Sequence, residues 1–171
     1  MSTRLIIDGY NLLGCAGGLP GSIETARESL LQSLSAYRHR KQHRITVVFD
    51  GWQQGQSIER QEQRAGVEIV YSRRGERADQ VIQRLARDFG TDCAVVSSDH
   101  EVTRSAKASG AFVLSAHEFA LKLWTASVGS GAVHKELDTE DESRPRDPKK
   151  KGNPRKLPKA LRQRARQLKR F

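Results

Sequence analysis

The sequence predicts an α/β protein in which a mainly parallel sheet is covered by helices on both faces. Five short, mostly apolar runs are separated by longer segments, most of which carry apolar residues at helical spacing. This alternation is typical of a parallel sheet with crossover helices. The runs are too apolar for strands with one solvated face, which favours burial on both sides. They occupy residues 5–7, 45–49, 67–71, 93–96 and 111–114.

Charge separates the chain into two parts. Residues 1–132 carry 16 Lys and Arg against 14 Asp and Glu, a net charge of +2. Residues 133–171 carry 14 against 6, a net charge of +8 within a total of +10. Only 36% of the residues are hydrophobic, so we expect one packed domain over residues 1–126 and a charged, largely disordered tail over residues 127–171. The excess of positive charge indicates a polyanion as the partner of the tail.

Cysteine content and hydropathy favour a cytoplasmic protein. Cys15 and Cys93 are too few for a framework of disulfides, which fits a reducing compartment. No apolar run approaches membrane-spanning length, and we expect no signal peptide before the first strand. We therefore expect no association with membranes.

The first strand leads into a glycine-rich stretch and then into a helix. Residues 14–21 lack the Lys-Ser/Thr ending of a phosphate-binding P-loop, so we expect a flexible loop with no bound nucleotide. Ser22 is the predicted N-cap of the helix. His39 and His43 have the spacing of zinc ligands on a helix, but no carboxylate or thiol accompanies them, and a solvated helix end is the preferred interpretation. The apolar face of this helix consists of Ile23, Ala26, Leu30, Leu34 and Tyr37.

The later elements follow from periodicity and from caps. The polar residues 52–66 are expected to form a mobile loop or a short helix. A helix is predicted from Ala78, with its apolar face formed by Ala78, Val81, Ile82, Leu85, Ala86 and Phe89. Ser98 with Glu101, and Ser115 with Glu118, have the spacing of capping boxes and predict two further helices.

The tail combines an acidic run with a basic one and ends in a candidate helix. Such a composition buries too little apolar surface to offset the entropy of ordering. Pro158 is a favourable first helical residue, and residues 158–171 form a predicted basic helix with Leu161, Ala165 and Leu168 on one side. The segment is close to the minimum length of an isolated helix, so we expect it to fold on a partner.

Four aspartates stand where the predicted strands end. Asp8, Asp50 and Asp99 follow the first, second and fourth strands, and Asp79 opens the helix after the third. Because the carboxyl ends of parallel strands meet at one edge, we expect the four in one crevice. Each alone is explained as a turn residue or as a negative charge in the first turn of a helix. Four at one edge favour a functional cluster.

Such a cluster has a defined chemistry. Neighbouring carboxylates repel, and a hard divalent cation, Mg²⁺ or Mn²⁺, relieves the repulsion. The cation would activate water and neutralise phosphate charge, as phosphodiester hydrolysis requires. Asn11 is a candidate for orienting the water or the substrate, and no small-molecule cofactor is expected. Basic residues flank the expected mouth and are candidates for holding backbone phosphates, although solvated charge explains each alone equally well: Arg73, Arg74, Arg77, Arg104 and Lys107.

Four short motifs, taken in order, resemble the YacP-like branch of the NYN domains, which are ribonucleases of PIN-like fold. The resemblance covers residues 3–126 and leaves the tail outside. It implies a three-layer α/β/α PIN-like (Rossmannoid) domain and a metal-dependent endoribonuclease, with Glu76 and Asn11 as helpers of the four aspartates. Arg77 departs from the family pattern, which often has Thr there. The motifs are Asp8-Gly9-Tyr10-Asn11, Val47-Val48-Phe49-Asp50, Gly75-Glu76-Arg77-Ala78-Asp79 and Ser97-Ser98-Asp99.

We therefore predict an endoribonuclease whose tail docks on RNA, with the ribosome and its associated mRNA among the candidate partners. The alternative is an RNA- or ribosome-binding module that kept the sheet and lost catalysis. A phosphatase with an aspartyl nucleophile usually carries Asp-x-Asp at the first strand, and Tyr10 disfavours it. Further predicted RNA contacts lie in the tail: Lys149, Lys150, Lys151, Arg162 and Arg166.

Overall fold

A computed structural model describes residues 3–15, 22–51, 58–125 and 159–171 of the 171-residue chain. The chain divides into two compact units, residues 1–129 and 130–171. Most of the glycine-rich stretch, the acidic run of the tail and the three lysines 149–151 lie outside the described residues.

The first unit is built on a six-stranded sheet with the order β3-β4-β2-β1-β5-β6. All neighbouring pairs are parallel except β3 and β4, which are antiparallel. The strands β1, β2, β4 and β5 are almost wholly buried, as their apolar runs predict. The strand bounds are Arg4–Asp8 (β1), Arg44–Phe49 (β2), Arg60–Arg64 (β3), Val67–Tyr71 (β4), Cys93–Val96 (β5) and Phe112–Leu114 (β6).

Helices cover both faces of this sheet, which confirms the predicted three layers. Two of them, α3 and α4, pack together on one face, and α1, α2 and α5 pack on the other. Across the second layer the rings of Tyr37 and Phe119 meet edge to face with centroids 5.2 Å apart. The helices of this unit are Gly9–Cys15 (α1), Ile23–Lys41 (α2), Ala78–Phe89 (α3), His100–Ala108 (α4) and Ala116–Thr125 (α5).

Three local predictions are wrong. The first strand leads into the helix α1 and not directly into the glycine-rich stretch, because the Asp8 carboxylate accepts the N–H of Asn11 and caps this helix. Residues 60–64, expected in a loop or a short helix, form the edge strand β3 against β4. The N-cap of α4 is Asp99 and not Ser98.

Other local predictions are confirmed. Ser22 caps α2 by accepting the N–H of Thr25. Ser115 and Glu118 form the predicted capping box, because each side chain accepts the other residue's N–H. On α2, however, Ile23 is 46% exposed, and the buried face contains Arg27.

In the second unit, Lys159–Leu168 forms α6, as the periodicity of the tail predicts. Arg162 and Arg166 are exposed on it, and Leu161 is half exposed. Among the described helices of the chain, none combines the length and the apolar character needed to cross a membrane.

Candidate active site

The strand β1 ends in a buried carboxylate. Asp8 is 8% exposed, and its Oδ1 accepts the N–H of Asn11 at 3.1 Å while its Oδ2 accepts the hydroxyl of Ser97 at 3.3 Å. The turn into α1 requires glycine, because a Cβ on Gly9 would lie 2.2 Å from the ring of Phe49. The sequence Asp8-Gly9 therefore places a buried carboxylate at the end of β1, immediately before the first residue of α1.

The end of β5 is tied to the end of β1 by hydrogen bonds. Asp99 caps α4, since its Oδ1 accepts the N–H groups of residues 101 and 102 at 2.7 and 3.1 Å. The Oγ of Ser97 accepts the N–H of Asp99 at 3.1 Å. The Oδ1 of Asn11 accepts the N–H of Ser98 at 3.0 Å. Asn11 thus holds the two strand ends together, and its role toward water or substrate stays a prediction.

The second strand brings its aspartate to the start of α3. The Oδ1 of Asp50 accepts the N–H of Ala78, the first residue of α3, at 2.6 Å. The turn after Asp50 lies against β4, where a Cβ on Gly51 would stand 2.0 Å from the carbonyl oxygen of Ser72. Because Asp79 is the next residue of α3, this contact places two of the predicted acids beside each other.

Electrostatic coupling links the four aspartates. The pKa of Asp8 is raised from 3.8 to about 6, mainly by burial and in smaller part by the charges of Asp79 and Asp50, against the hydrogen bonds from Asn11 and Ser97. Burial also raises the pKa of Asp79, as do the charges of Asp99 and Asp50, while Arg77 opposes the shift. Asp79 thus interacts electrostatically with each of the other three predicted acids, and Asp8 with Asp79 and Asp50. Among the described residues, however, no three His, Cys, Asp or Glu side chains form a group that could hold a metal ion.

Glu76 is engaged by arginines. Its side chain is 10% exposed, with Oε1 2.7 Å from Arg84 and Oε2 3.3 Å from Arg73. A place for Glu76 in a metal site would require these ion pairs to open, so its predicted role stays a prediction. Arg77 pairs with Asp79 at 2.6 Å.

Three of the remaining predicted RNA contacts are exposed on the surface of the first unit. Arg74 lies on the exposed loop between β4 and α3, and Arg104 and Lys107 are exposed on α4. None of the three forms an ion pair with a described residue in the structure. Their positions are compatible with phosphate binding and do not test it.

Sequence reasoning missed two residues near the site. Ser97 is fully buried and joins Asp8 to Asp99. The sequence shows it only as the first residue of the motif Ser97-Ser98-Asp99, with no role of its own. Arg27 is 4% exposed and lies 5.3 Å from the ring centroids of both Tyr10 and Phe49. Its guanidinium donates to the Tyr10 hydroxyl and pairs with Glu24. Arg27 is therefore part of the core, although its charge leads one to expect it on the solvent side of α2.

The fold and the site together define a nuclease-like α/β/α protein of the NYN/PIN-like class. The chain belongs to the YacP-like NYN domain family, whose model matches residues 5–169. The match confirms the resemblance seen in the motifs. It also extends through the tail, so the expectation that the tail lies outside the family is wrong.

Similar proteins come from Bacillus subtilis. The chain is 31% identical to the uncharacterized protein YacP of strain 168 over 121 residues, which cover 67% of this chain and 71% of that protein. The structure of the present chain is similar to the crystal structure of Rae1 (YacP) from Bacillus subtilis, with a TM-score of 0.59 at 28% identity. The match covers 72% of this chain and 75% of the other. The crystal structure of a tryptophan-to-leucine mutant of Rae1 gives a TM-score of 0.61 at 28% identity, covering 74% of this chain and 77% of the other.

Proposed function

We propose that this protein is a metal-dependent endoribonuclease that hydrolyses phosphodiester bonds of RNA at the four aspartates. The observation that carries the proposal is the position of Asp8, a carboxylate 8% exposed on the central strand and in electrostatic contact with Asp50 and Asp79. Arg77 compensates the charge of Asp79, but Asp8 forms no ion pair with a described residue. A buried carboxylate without a compensating cation is unfavourable, and a bound dication is the usual remedy. Membership of a nuclease-like family supports the same reaction class.

The donor set fits a hard divalent ion in its chemistry. Asp8, Asp50, Asp79 and Asp99 offer carboxylate oxygens, the ligands that Mg²⁺ and Mn²⁺ prefer. Asp50 and Asp99 each use Oδ1 for backbone N–H groups, which orients the carboxylates and leaves Oδ2 for a ligand. Since the described side chains form no ready-made metal group, some must turn when an ion binds. A bound ion would supply an activated water and neutralise charge on the phosphate.

The chain itself contributes orientation of the acidic side chains. Ser97 fixes Asp8 Oδ2 through its hydroxyl and fixes the backbone of Asp99 through its oxygen. Asn11 holds the ends of β1 and β5 together through Ser98. These bonds hold the ends of β1 and β5 in place relative to each other, which matters because a small misplacement of a catalytic group lowers the rate strongly.

A direct test compares two charge-removing substitutions. Asp8→Asn removes a proposed ligand, and Asp88→Asn removes an exposed acid of α3 outside the site. We expect wild type and Asp88→Asn to cut a labelled single-stranded RNA with Mg²⁺ or Mn²⁺ and not with EDTA. Asp8→Asn should cut at least about 100-fold more slowly. Equal cleavage by both variants, or cleavage that persists in EDTA, would remove the assignment.

A second candidate is an RNA-binding module without catalysis, and the lack of a ready-made metal group among the described residues favours it. This candidate predicts RNA binding by wild type with no cleavage at any concentration of either cation. The same experiment therefore separates the two functions.

The proposed role of the tail is to supply affinity for RNA. Arg162 and Arg166 are exposed and four residues apart on α6, so both lie on one face of the helix. Replacing both with Gln should lower the dependence of RNA affinity on salt, while the rate of cutting at saturating RNA stays unchanged. An unchanged salt dependence would exclude these two arginines as RNA contacts.

A further inference from the structure

A polar cleft of about 740 Å³ lies along the outer side of α3. Four arginines and two glutamines line it together with Gly75 and the carboxylate of Glu76, and we call it the arginine cleft: Arg73, Arg74, Arg84, Arg87, Gln80 and Gln83. It takes no part in the hydrogen bonds that organise the four aspartates. Two of its arginines, Arg84 and Arg87, are not among the residues that the sequence singled out.

The charges of the arginine cleft are only partly balanced. Arg84 pairs with Glu76 at 2.7 Å and with Glu59, and Arg73 pairs with Glu76 at 3.3 Å. Arg74 and Arg87 are exposed and pair with no carboxylate among the described residues. The guanidinium groups of Arg74 and Arg87 are therefore available for an anion. Those of Arg73 and Arg84 are held by ion pairs with carboxylates.

The cleft and the candidate active site share one helix, α3. The buried residues of α3 are Ala78, Val81, Ile82 and Ala86, so positions 80, 83 and 87 lie on the opposite, outer face. The first residue of the same helix donates its N–H to Asp50, and Asp79 follows it. A chain leaving the aspartates along α3 would thus meet the arginine cleft.

We propose that the arginine cleft binds the backbone phosphates of single-stranded RNA next to the bond that the aspartates cut. The proposal rests on the proposed function. Guanidinium groups match the geometry of phosphate oxygens, and glutamine amides can donate to phosphate or ribose oxygens. Because these contacts address the backbone, we expect affinity without base specificity.

The experiment measures binding without catalysis. The full chain in EDTA is titrated into a fluorescent oligouridylate of about 12 nucleotides, and the affinity is followed by anisotropy from about 50 to about 300 mM KCl. The test variant is Arg74→Gln with Arg87→Gln. The matched control is Arg40→Gln with Arg44→Gln, two exposed arginines at the end of α2 and the amino end of β2.

The expected result is a change of slope. Each phosphate contact on a single strand contributes about 0.7 to the slope of log affinity against log salt, so the test variant should lose about 1.4. The control should keep the slope of wild type. Equal losses in both variants would show a general effect of net charge and overturn the proposal. Displacement of the RNA by polyglutamate at equal charge concentration would overturn it in favour of an acidic peptide.

The failure of this proposal is distinguishable from the failure of the proposed function. Suppose that wild type does not cut RNA, and that only the test variant shows a smaller slope of log affinity against log salt. The cleft then binds RNA, and the catalytic assignment fails. If wild type cuts RNA with a dication and both variants bind as wild type does, the function stands and the cleft has no role.

Discussion

Replacement of Asp8 by Asn should stabilise the protein in the absence of divalent cations. The Asp8 carboxylate is 8% exposed, and burial, together with the charges of Asp79 and Asp50, raises its pKa from 3.8 to about 6. Each pKa unit corresponds to about 1.4 kcal/mol, so the ionised carboxylate lowers the free energy of unfolding by about 3 kcal/mol. Asparagine keeps the shape and removes the charge.

Hydrogen bonding offsets part of this gain. The Asn oxygen can still accept the N–H of Asn11, which bonds to Asp8 at 3.1 Å. The hydroxyl of Ser97 loses its carboxylate acceptor at 3.3 Å, at a cost of about 1 kcal/mol. The net expectation is that Asp8→Asn is about 2 kcal/mol more stable than wild type at pH 7.5 in EDTA.

The pH dependence has a defined sign. Between the unfolded pKa of 3.8 and the folded pKa of about 6, the folded protein binds more protons than the unfolded chain. The stability that Asp8 contributes therefore falls as the pH rises through this window. The difference between Asp8→Asn and wild type should be near its minimum at about pH 4 and should be fully developed above about pH 6.

Urea denaturation followed by circular dichroism across this pH range measures the difference, with Asp88→Asn as the control that should show no such trend. Addition of Mn²⁺ should then stabilise wild type and leave Asp8→Asn unchanged, because a ligand that binds only the folded site adds stability. A variant less stable than wild type at pH 7.5, or a difference that is the same at both ends of the range, would refute the reasoning.

Three further predictions concern the supports of the site. Asp99→Asn should keep the cap of α4, since Asn caps a helix as well as Asp does. Asp99→Ala removes the cap and should lower the free energy of unfolding, measured by urea denaturation, by about 1 kcal/mol. Both variants should lose RNA cleavage. Ser97→Ala removes a donor to Asp8 and an acceptor for the N–H of Asp99, and should cost about 1–3 kcal/mol in the same measurement. Gly51→Ala places a Cβ 2.0 Å from the carbonyl oxygen of Ser72 and should lower the free energy of unfolding by about 1–3 kcal/mol; an unchanged midpoint would show that the turn can move.

Most of the fold could be predicted because its strands are buried on both faces. An apolar run such as residues 93–96 has no polar side that could face solvent, so it must be buried on both faces. The segments between such runs are long enough to hold the crossover helices. The edge strand β3 could not be predicted this way. Its sequence, Arg60–Arg64, is entirely polar and mostly exposed, and it is a strand because β4 offers an unpaired edge. Only the partner strand determines its structure.

The positions of the four acids could be predicted from topology, but their contacts could not. A strand end is visible in the sequence, whereas the choice of Asp99 over Ser98 as the cap depends on the angle at which α4 leaves the sheet. The engagement of Glu76 depends on Arg84, eight residues later on α3. The burial of Arg27 depends on the faces of Tyr10 and Phe49, which come from two other elements.

The strand order explains why Asp8 is the acid with the strongest shift in pKa. From β1 the chain continues outward through β2 and β4, and it then returns to β5 and β6 on the other side of β1. The crevice at such a reversal lies between β1 and β5, where Asp8 and Asp99 stand. Asp8 is the deeper of the two, because β1 has a parallel neighbour on each side and α1 starts directly above it. A dication at this point would relieve the unfavourable interactions that raise the pKa of Asp8. The unfavourable burial of Asp8 in the metal-free protein and its proposed affinity for a cation thus have the same physical origin.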